Sequence, residues 1–135
     1  MVSSIDFKIY STDGKSFKDT VDEIYLDVPS SGVIGLTPNH TPYSAMLHIG
    51  TFYTVKNGVK TSFAVSSGTI NFKNGEAVIL AQTFEREDEL DRERIEKARE
   101  KALKTLENID KIDKITYDNA SFSLKKAINR LKILK

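Results

Sequence analysis

The chain changes its hydrophobic period once, near Gln82, and that change limits what it can fold into. Seven glycines and three prolines all lie before it and none follows. Up to that point short apolar alternations are cut by turn residues; beyond it apolar residues recur every three or four positions. Period two puts alternate side chains on one buried sheet face, whereas spacing of three and four marks one stripe of a helix. At 135 residues the chain has room for one core and an appendage. The core is expected in the first part.

In that first part Ile5, Phe7 and Ile9 alternate with Asp6, Lys8 and Tyr10 and run into the turn Thr12-Asp13-Gly14. Ile24, Leu26 and Val28 alternate with Glu23, Tyr25 and Asp27 and stop at Pro29. Both patterns predict strands with one buried face. Two Asn-Gly pairs, Asn57-Gly58 and Asn74-Gly75, predict hairpins with tight type I′ turns: residues 53–56 with 59–63, and 69–72 with 77–80. The unbroken apolar run over residues 77–81 reads as a strand buried on both faces. Residues 32–42 read as a loop whose two glycines and two prolines shape a stiff polar tip bearing His40.

From Glu85 the pattern is helical. Glu87, Asp88, Glu89 and Asp91 crowd the start and Lys97, Arg99, Lys101 and Lys104 follow, the polarity that a helix macrodipole favours. The apolar positions Ile95, Ala98, Ala102, Leu106 and Ile109 form a narrow stripe on a helix ending near Asn108. A linker over residues 109–120 leads to a last helix from about Ser121, with Leu124, Ala127, Ile128, Leu131 and Leu134 on one side. Two helices with such thin stripes seal against each other and make no independent core. The expected fold is therefore α+β: an N-terminal antiparallel β-sandwich, residues 1–84, followed by a C-terminal antiparallel two-helix hairpin, residues 85–135.

Several function classes are excluded. Without cysteine there is no disulfide framework, thiolate zinc site or cysteine nucleophile. A net charge of +1 supplies no field for nucleic acid. No phosphate-binding loop of the Walker type occurs, His40 and His48 lack a ligand cluster, and Ser66-Ser67-Gly68 lacks a strand-to-helix elbow. No signal peptide is expected from residues 1–6, and no window reaches the roughly 20 apolar residues of a membrane span. Membrane association is expected to run through a partner, without direct insertion.

Gly32-Val33-Ile34-Gly35-Leu36-Thr37-Pro38-Asn39-His40-Thr41-Pro42 resembles the Gly-x-x-Gly-x-x-Pro-Asn/Gly-His-x-Pro loop of epsilon subunits of F-type ATP synthases. The order of features agrees: a Thr-Asp-Gly turn, Phe63-Ala64-Val65-Ser66-Ser67-Gly68 in the middle, Leu90-Asp91 and Arg94 at the helix start, and Ala127-Ile128-Asn129-Arg130-Leu131 near the end. Ile95 departs from the alanine of the family's Ile/Leu-Asp-x-x-Arg-Ala signature, and Ile49 stands where the family usually has proline.

The resemblance implies a non-catalytic central-stalk subunit, with no catalytic residues and no required cofactor, held at the cytoplasmic face of the membrane as a peripheral protein. Its implied partners are the gamma subunit and the membrane rotor (c) ring, which Val33 and His40 would face, and the catalytic alpha and beta subunits, which the hairpin would meet through Lys125 and Lys132. It also implies a regulatory ATP site built from Glu85, Leu90, Asp91, Arg94, Lys126 and Arg130. Two plainer readings stand beside these. His40 satisfies groups of its own loop, and Asp91 and Arg94 make ordinary helix-surface pairs. The basic run Lys125, Lys126, Arg130, Lys132 and Lys135, with no acid after Asp118, suits a solvated helix end as well as an arm meeting acidic surfaces. A free-standing ATP sensor, a structural adaptor and a specialised F1-like relative are the alternatives.

Overall fold

A computed structural model describes residues 3–28 and 32–134, with the backbone alone of Ile109. It divides into two compact units, Met1–Glu87 and Asp88–Lys135. The expected stop at Pro29, the place of the Ile109 side chain in its stripe, and Lys135 lie outside the described residues.

The first unit carries eight strands: β1 (Ile5–Ser11), β2 (Ser16–Val21), β3 (Glu23–Val28), β4 (Gly32–Leu36), β5 (Tyr43–Lys56), β6 (Val59–Lys73), β7 (Glu76–Ala81) and β8 (Phe84–Arg86). They follow the order β2-β1-β7-β6-β5-β3-β4, with β8 paired to β6. Two long strands, β5 and β6, belong to both layers. Their first shared stretch runs from Tyr43↔Phe72 to Leu47↔Gly68, the second from Ile49↔Ser66 to Lys56↔Val59. On its other edge β6 pairs with β7 along the first stretch and with β8 along the second. One layer is thus β2-β1-β7-β6-β5 and the other β8-β6-β5-β3-β4, joined by a corner of the kind made by strands that pass from sheet to sheet.

That corner has an atomic cause. Ser67 takes φ of 93°, and the buried Ser66 hydroxyl lies 2.5 Å from that of Thr83 while accepting the Thr83 backbone N–H at 3.1 Å. Gly68 comes so close to β7 that a Cβ there would lie 2.1 Å from the Leu80 carbonyl oxygen. The two long strands turn at Asn57-Gly58, both at positive φ, as the Asn-Gly pair predicts. Between the layers Phe7 of β1 meets Phe52 and Phe63 edge-on at 5.9 and 5.5 Å, and Phe52 stacks on its ladder partner Phe63 at 4.7 Å. Each such ring pair adds about 0.5–1.5 kcal/mol beyond its buried area.

Four expectations about the sandwich need correction. β1 and β7 run parallel, so the sheet is mixed. Residues 32–36, expected as loop, form the edge strand β4, because Ile34 and Leu36 keep period two with β3 and face the core. The two predicted hairpins share one continuous strand, β6. β7 buries one face: Ala77, Ile79 and Ala81 point inward while Leu80 is 55% exposed. β2 and the first half of β5 are strands beyond those expected; Ser16, Lys18 and Thr20 of β2 and Ser44 and His48 of β5 are exposed, while Asp19 has the parity of Phe17 and Val21.

In the second unit α1 (Arg92–Glu107) and α2 (Lys114–Ile133) form the expected antiparallel hairpin. The Arg92 side chain donates to the Leu134 carbonyl, so the start of α1 meets the end of α2. Both boundaries move from their expected places. α1 starts seven residues after Glu85, because β8 and a 3-10 turn over Glu87–Glu89 come first and Asp91 is its N-cap. α2 starts at Lys114 and absorbs most of the expected linker, because Asp113 caps it by accepting the Thr116 N–H at 2.7 Å. That bond holds the Asp113 carboxyl below its ordinary range. The buried positions are Ile95, Ala102, Ala120, Ala127 and Asn129; Ala98 and Ile128, expected in the stripes, are exposed.

Gly68→Ala is expected to lower the stability of the sandwich by about 3 kcal/mol, the upper end for overpacking, because the facing atoms are backbone and cannot rotate away. Urea unfolding of the full chain followed by tyrosine fluorescence measures it.

Candidate functional site

The candidate residues fall in two places, one in each unit. In the sandwich, β4 hands directly to a tip over residues 37–42. The His40 N–H bonds back to the Thr37 carbonyl at 3.0 Å, closing a turn. The ring of His40 stands edge-on to Tyr43 at 6.3 Å and Phe72 at 6.1 Å, and its Nδ1–H donates to the Thr41 carbonyl at 2.7 Å. An imidazole with this bond has Nδ1 protonated, and the bond ties the ring to its own loop. Val33, on the outer face of β4, is 71% exposed.

Two further exposed apolar residues escaped the sequence reading. Met46 and Leu80 flank Thr69 in one cross-strand row of β5, β6 and β7, next to a shallow groove of about 450 Å³ lined by Ser44, Met46, Thr69 and Asn71. Parity carries the signal that was available: both residues alternate with buried Leu47 and Ile79.

In the hairpin, Leu90 and Asp91 precede α1, Arg94 lies in its first turn, and Lys126 and Arg130 lie in the last two turns of α2. The Arg92–Leu134 contact brings these ends together, so five of the six residues proposed for ATP gather at the open end of the hairpin. Glu85 belongs to β8, in the other unit. Asp91 is already engaged. Its carboxylate accepts the N–H groups of Glu93 at 3.0 Å and Arg94 at 3.4 Å, the N-cap geometry. Arg94 is exposed, and the Lys126 ammonium sits 5.2 Å from the centre of the Phe122 ring. Lys125 and Lys132 are exposed on α2. A groove of about 430 Å³ lies elsewhere on the hairpin, lined by small residues such as Ala98, Ala102, Ala120 and Ser123.

Among the described residues no group of three His, Asp or Glu is placed to hold a metal ion, and no helix is long and apolar enough to cross a membrane.

Comparison with known proteins gives a consistent result. The sequence model described as "ATP synthase, Delta/Epsilon chain, beta-sandwich domain" matches residues 4–87, and "ATP synthase, Delta/Epsilon chain, long alpha-helix domain" matches residues 88–135. The chain is 30% identical to the ATP synthase epsilon chain of Levilactobacillus brevis over 134 residues, covering 98% of this chain and 96% of that one. It is 37% identical to the epsilon chain of Desulforamulus reducens over 103 residues, 76% of each. Its fold matches a chain in the cryo-EM structure of the Euglena gracilis mitochondrial ATP synthase (OSCP, F1 and c-ring) with a TM-score of 0.80 at 18% identity, covering 100% of this chain and 84% of that one.

If Asp91 acts as a cap, Asp91→Asn should melt with the parent while Asp91→Ala loses about 1 kcal/mol of helix stability, since asparagine caps as well as aspartate. Thermal melts followed by far-UV circular dichroism separate the two outcomes.

Proposed function

Because the chain belongs to the ATP synthase delta/epsilon chain family, we propose that it is a non-catalytic subunit of the central stalk, joining the catalytic sector to the membrane rotor. In this reading residues 1–84 bind the gamma subunit and the rotor ring, and residues 85–135 regulate ATP hydrolysis. The chain is held peripherally at the cytoplasmic face of the membrane through those partners. What carries the reading is the match of both family segments, in order, along almost the whole chain.

The thinness of the hairpin supports a regulatory role. Among the described residues its fully buried apolar side chains are one isoleucine and three alanines, with Leu106, Leu124 and Leu131 half-buried beside them. At about 25 cal/mol per Å², these contribute roughly 2 kcal/mol for Ile95 and under about 1 kcal/mol for each alanine, before ordering entropy is subtracted. A closed hairpin of that kind is close to balance. Laid out as one helix, roughly 50 residues span about 75 Å, enough to run along a coiled-coil neighbour and bring Lys125, Lys126, Arg130 and Lys132 to the catalytic alpha and beta subunits.

The second element of the proposal is regulatory ATP, favoured by the gathering of Leu90, Asp91, Arg94, Lys126 and Arg130 at one end. Arg94 and Arg130 would bind phosphate oxygens by forked hydrogen bonds, Lys126 would add charge, and Asp91 would orient the start of α1 by capping it. Ligand at ten times its dissociation constant adds about 1.4 kcal/mol to the state it binds, enough to bias a balanced hairpin.

Deleting the residues after Asn108 from the assembled complex should raise ATP hydrolysis severalfold, and a disulfide engineered between α1 and α2 to hold the hairpin closed should do the same. Steady-state ATPase assays of both variants test the proposal. Unchanged hydrolysis in both would leave the hairpin without an inhibitory role.

A further inference from the structure

On the outer face of the second layer a chain of contacts runs from β6 to β4, diagonally from Lys60 to Tyr53 and then along the ladder partners Tyr53, Tyr25 and Gly35. Lys60 of β6 places its ammonium 4.3 Å from the centre of the Tyr53 ring of β5. Tyr53 stacks on its ladder partner Tyr25 of β3, with centroids 5.0 Å apart and planes 22° from parallel. Tyr25 in turn faces its partner on β4, Gly35, where a Cβ would lie 3.0 Å from Tyr25 Cε1 and 3.3 Å from Cδ1. The Tyr25 hydroxyl donates to Glu23 at 2.9 Å.

β4 needs this support more than its neighbours do. It is five residues long, lies at the end of the strand order and, among the described residues, pairs with β3 alone. Ile34 and Leu36 anchor its inner face; its outer face presents exposed Val33 and the bare Gly35 on which the Tyr25 ring lies. The tip begins at the next residue, Thr37. An aromatic ring laid over a cross-strand glycine fills the space its missing side chain leaves, and the pair holds the edge strand to the sheet. Tyr53, stacked on the Tyr25 ring, backs it against Gly35.

We infer that Tyr25 is a positioning residue, whose ring, braced by Tyr53 and Lys60 and seated on Gly35, fixes the edge strand β4 and thereby the tip over residues 37–42. Where the tip docks rests on the proposed function; that Tyr25 sets its place does not. An added methyl at Gly35 would press on the Tyr25 ring at 3.0 Å, and with Tyr53 stacked on that ring the strain falls on the β3–β4 pairing.

The test uses the full chain and four variants: Tyr25→Phe, Tyr25→Ala, Gly35→Ala and, as a control on the same strand, Val33→Ala. Amide hydrogen exchange is read residue by residue, alongside thermal unfolding and binding to purified complexes of gamma with the rotor ring. Tyr25→Ala and Gly35→Ala should each speed exchange in β4 and the tip by about tenfold or more while β1, β6 and β7 keep the parent's protection. Tyr25→Phe, which keeps the ring, should behave as the parent, and so should Val33→Ala in exchange. Parent-like exchange at the tip in both Tyr25→Ala and Gly35→Ala would overturn the inference, as would faster exchange spread evenly over the sandwich. If the parent fails to bind gamma with the rotor ring, the proposed function fails, while the exchange result still decides the role of Tyr25.

Discussion

The ladder between β5 and β6 is the constraint on which the rest of the sandwich depends. Two strands of 14 and 15 residues stay paired from the Asn57-Gly58 turn to their far ends. They are too long for one flat sheet in a domain this small, so they bend, and at the bend Ser67 adopts positive φ while Gly68 lets β7 close in. The Ser66–Thr83 hydroxyl pair carries polar groups through the corner without leaving them buried and unpaired. Both layers inherit their register from this bend. Phe52 and Phe63 stack because they are ladder partners beyond it, and they meet Phe7 because the bend folds their half over β1.

The same ladder sets the position of the tip. β3 pairs with β5 over residues 52–55, and β4 pairs with β3. The tip is therefore two pairings from the corner, on the strand at the end of the row. His40 stiffens it from within by bonding its own loop, and the tyrosine row braces its root. The hairpin is built on the opposite principle. Its helices are well capped at Asp91 and Asp113, yet the surface buried between them is small.

Much of this was legible in the sequence, and the misses share one cause. Alternation locates β1 and β3, an unbroken apolar run locates β7, and the Asn-Gly pairs locate both hairpin turns, because those signals are local. What local patterns cannot show is how strands share partners. Thus β6 looked like two strands, since Ser66-Ser67-Gly68 breaks alternation at the corner. β4 looked like loop, since its two glycines hide a strand that pairing with β3 stabilises. Residues 77–81 looked buried on both faces, although Leu80 faces out in the same row as Met46. In the hairpin the local pattern shows neither cap, Asp91 for α1 nor Asp113 for α2. The gathering of Arg94, Lys126 and Arg130 at one end follows from the antiparallel pairing of two helices, which the thin stripes did predict.

The central claim is that the hairpin is a nearly balanced switch on a rigid sandwich, and a distance measurement tests it most directly. Spin labels at Lys97 and Lys125, both exposed, mark points at similar height on α1 and α2. With the hairpin closed the two helix axes are about 10 Å apart, and as one continuous helix the labelled positions stand about 40 Å apart. Pulsed electron-spin distance measurements on the assembled complex should show both populations, with millimolar ATP moving weight to the short distance. A single short distance, unchanged by catalytic subunits and by ATP, would contradict the account.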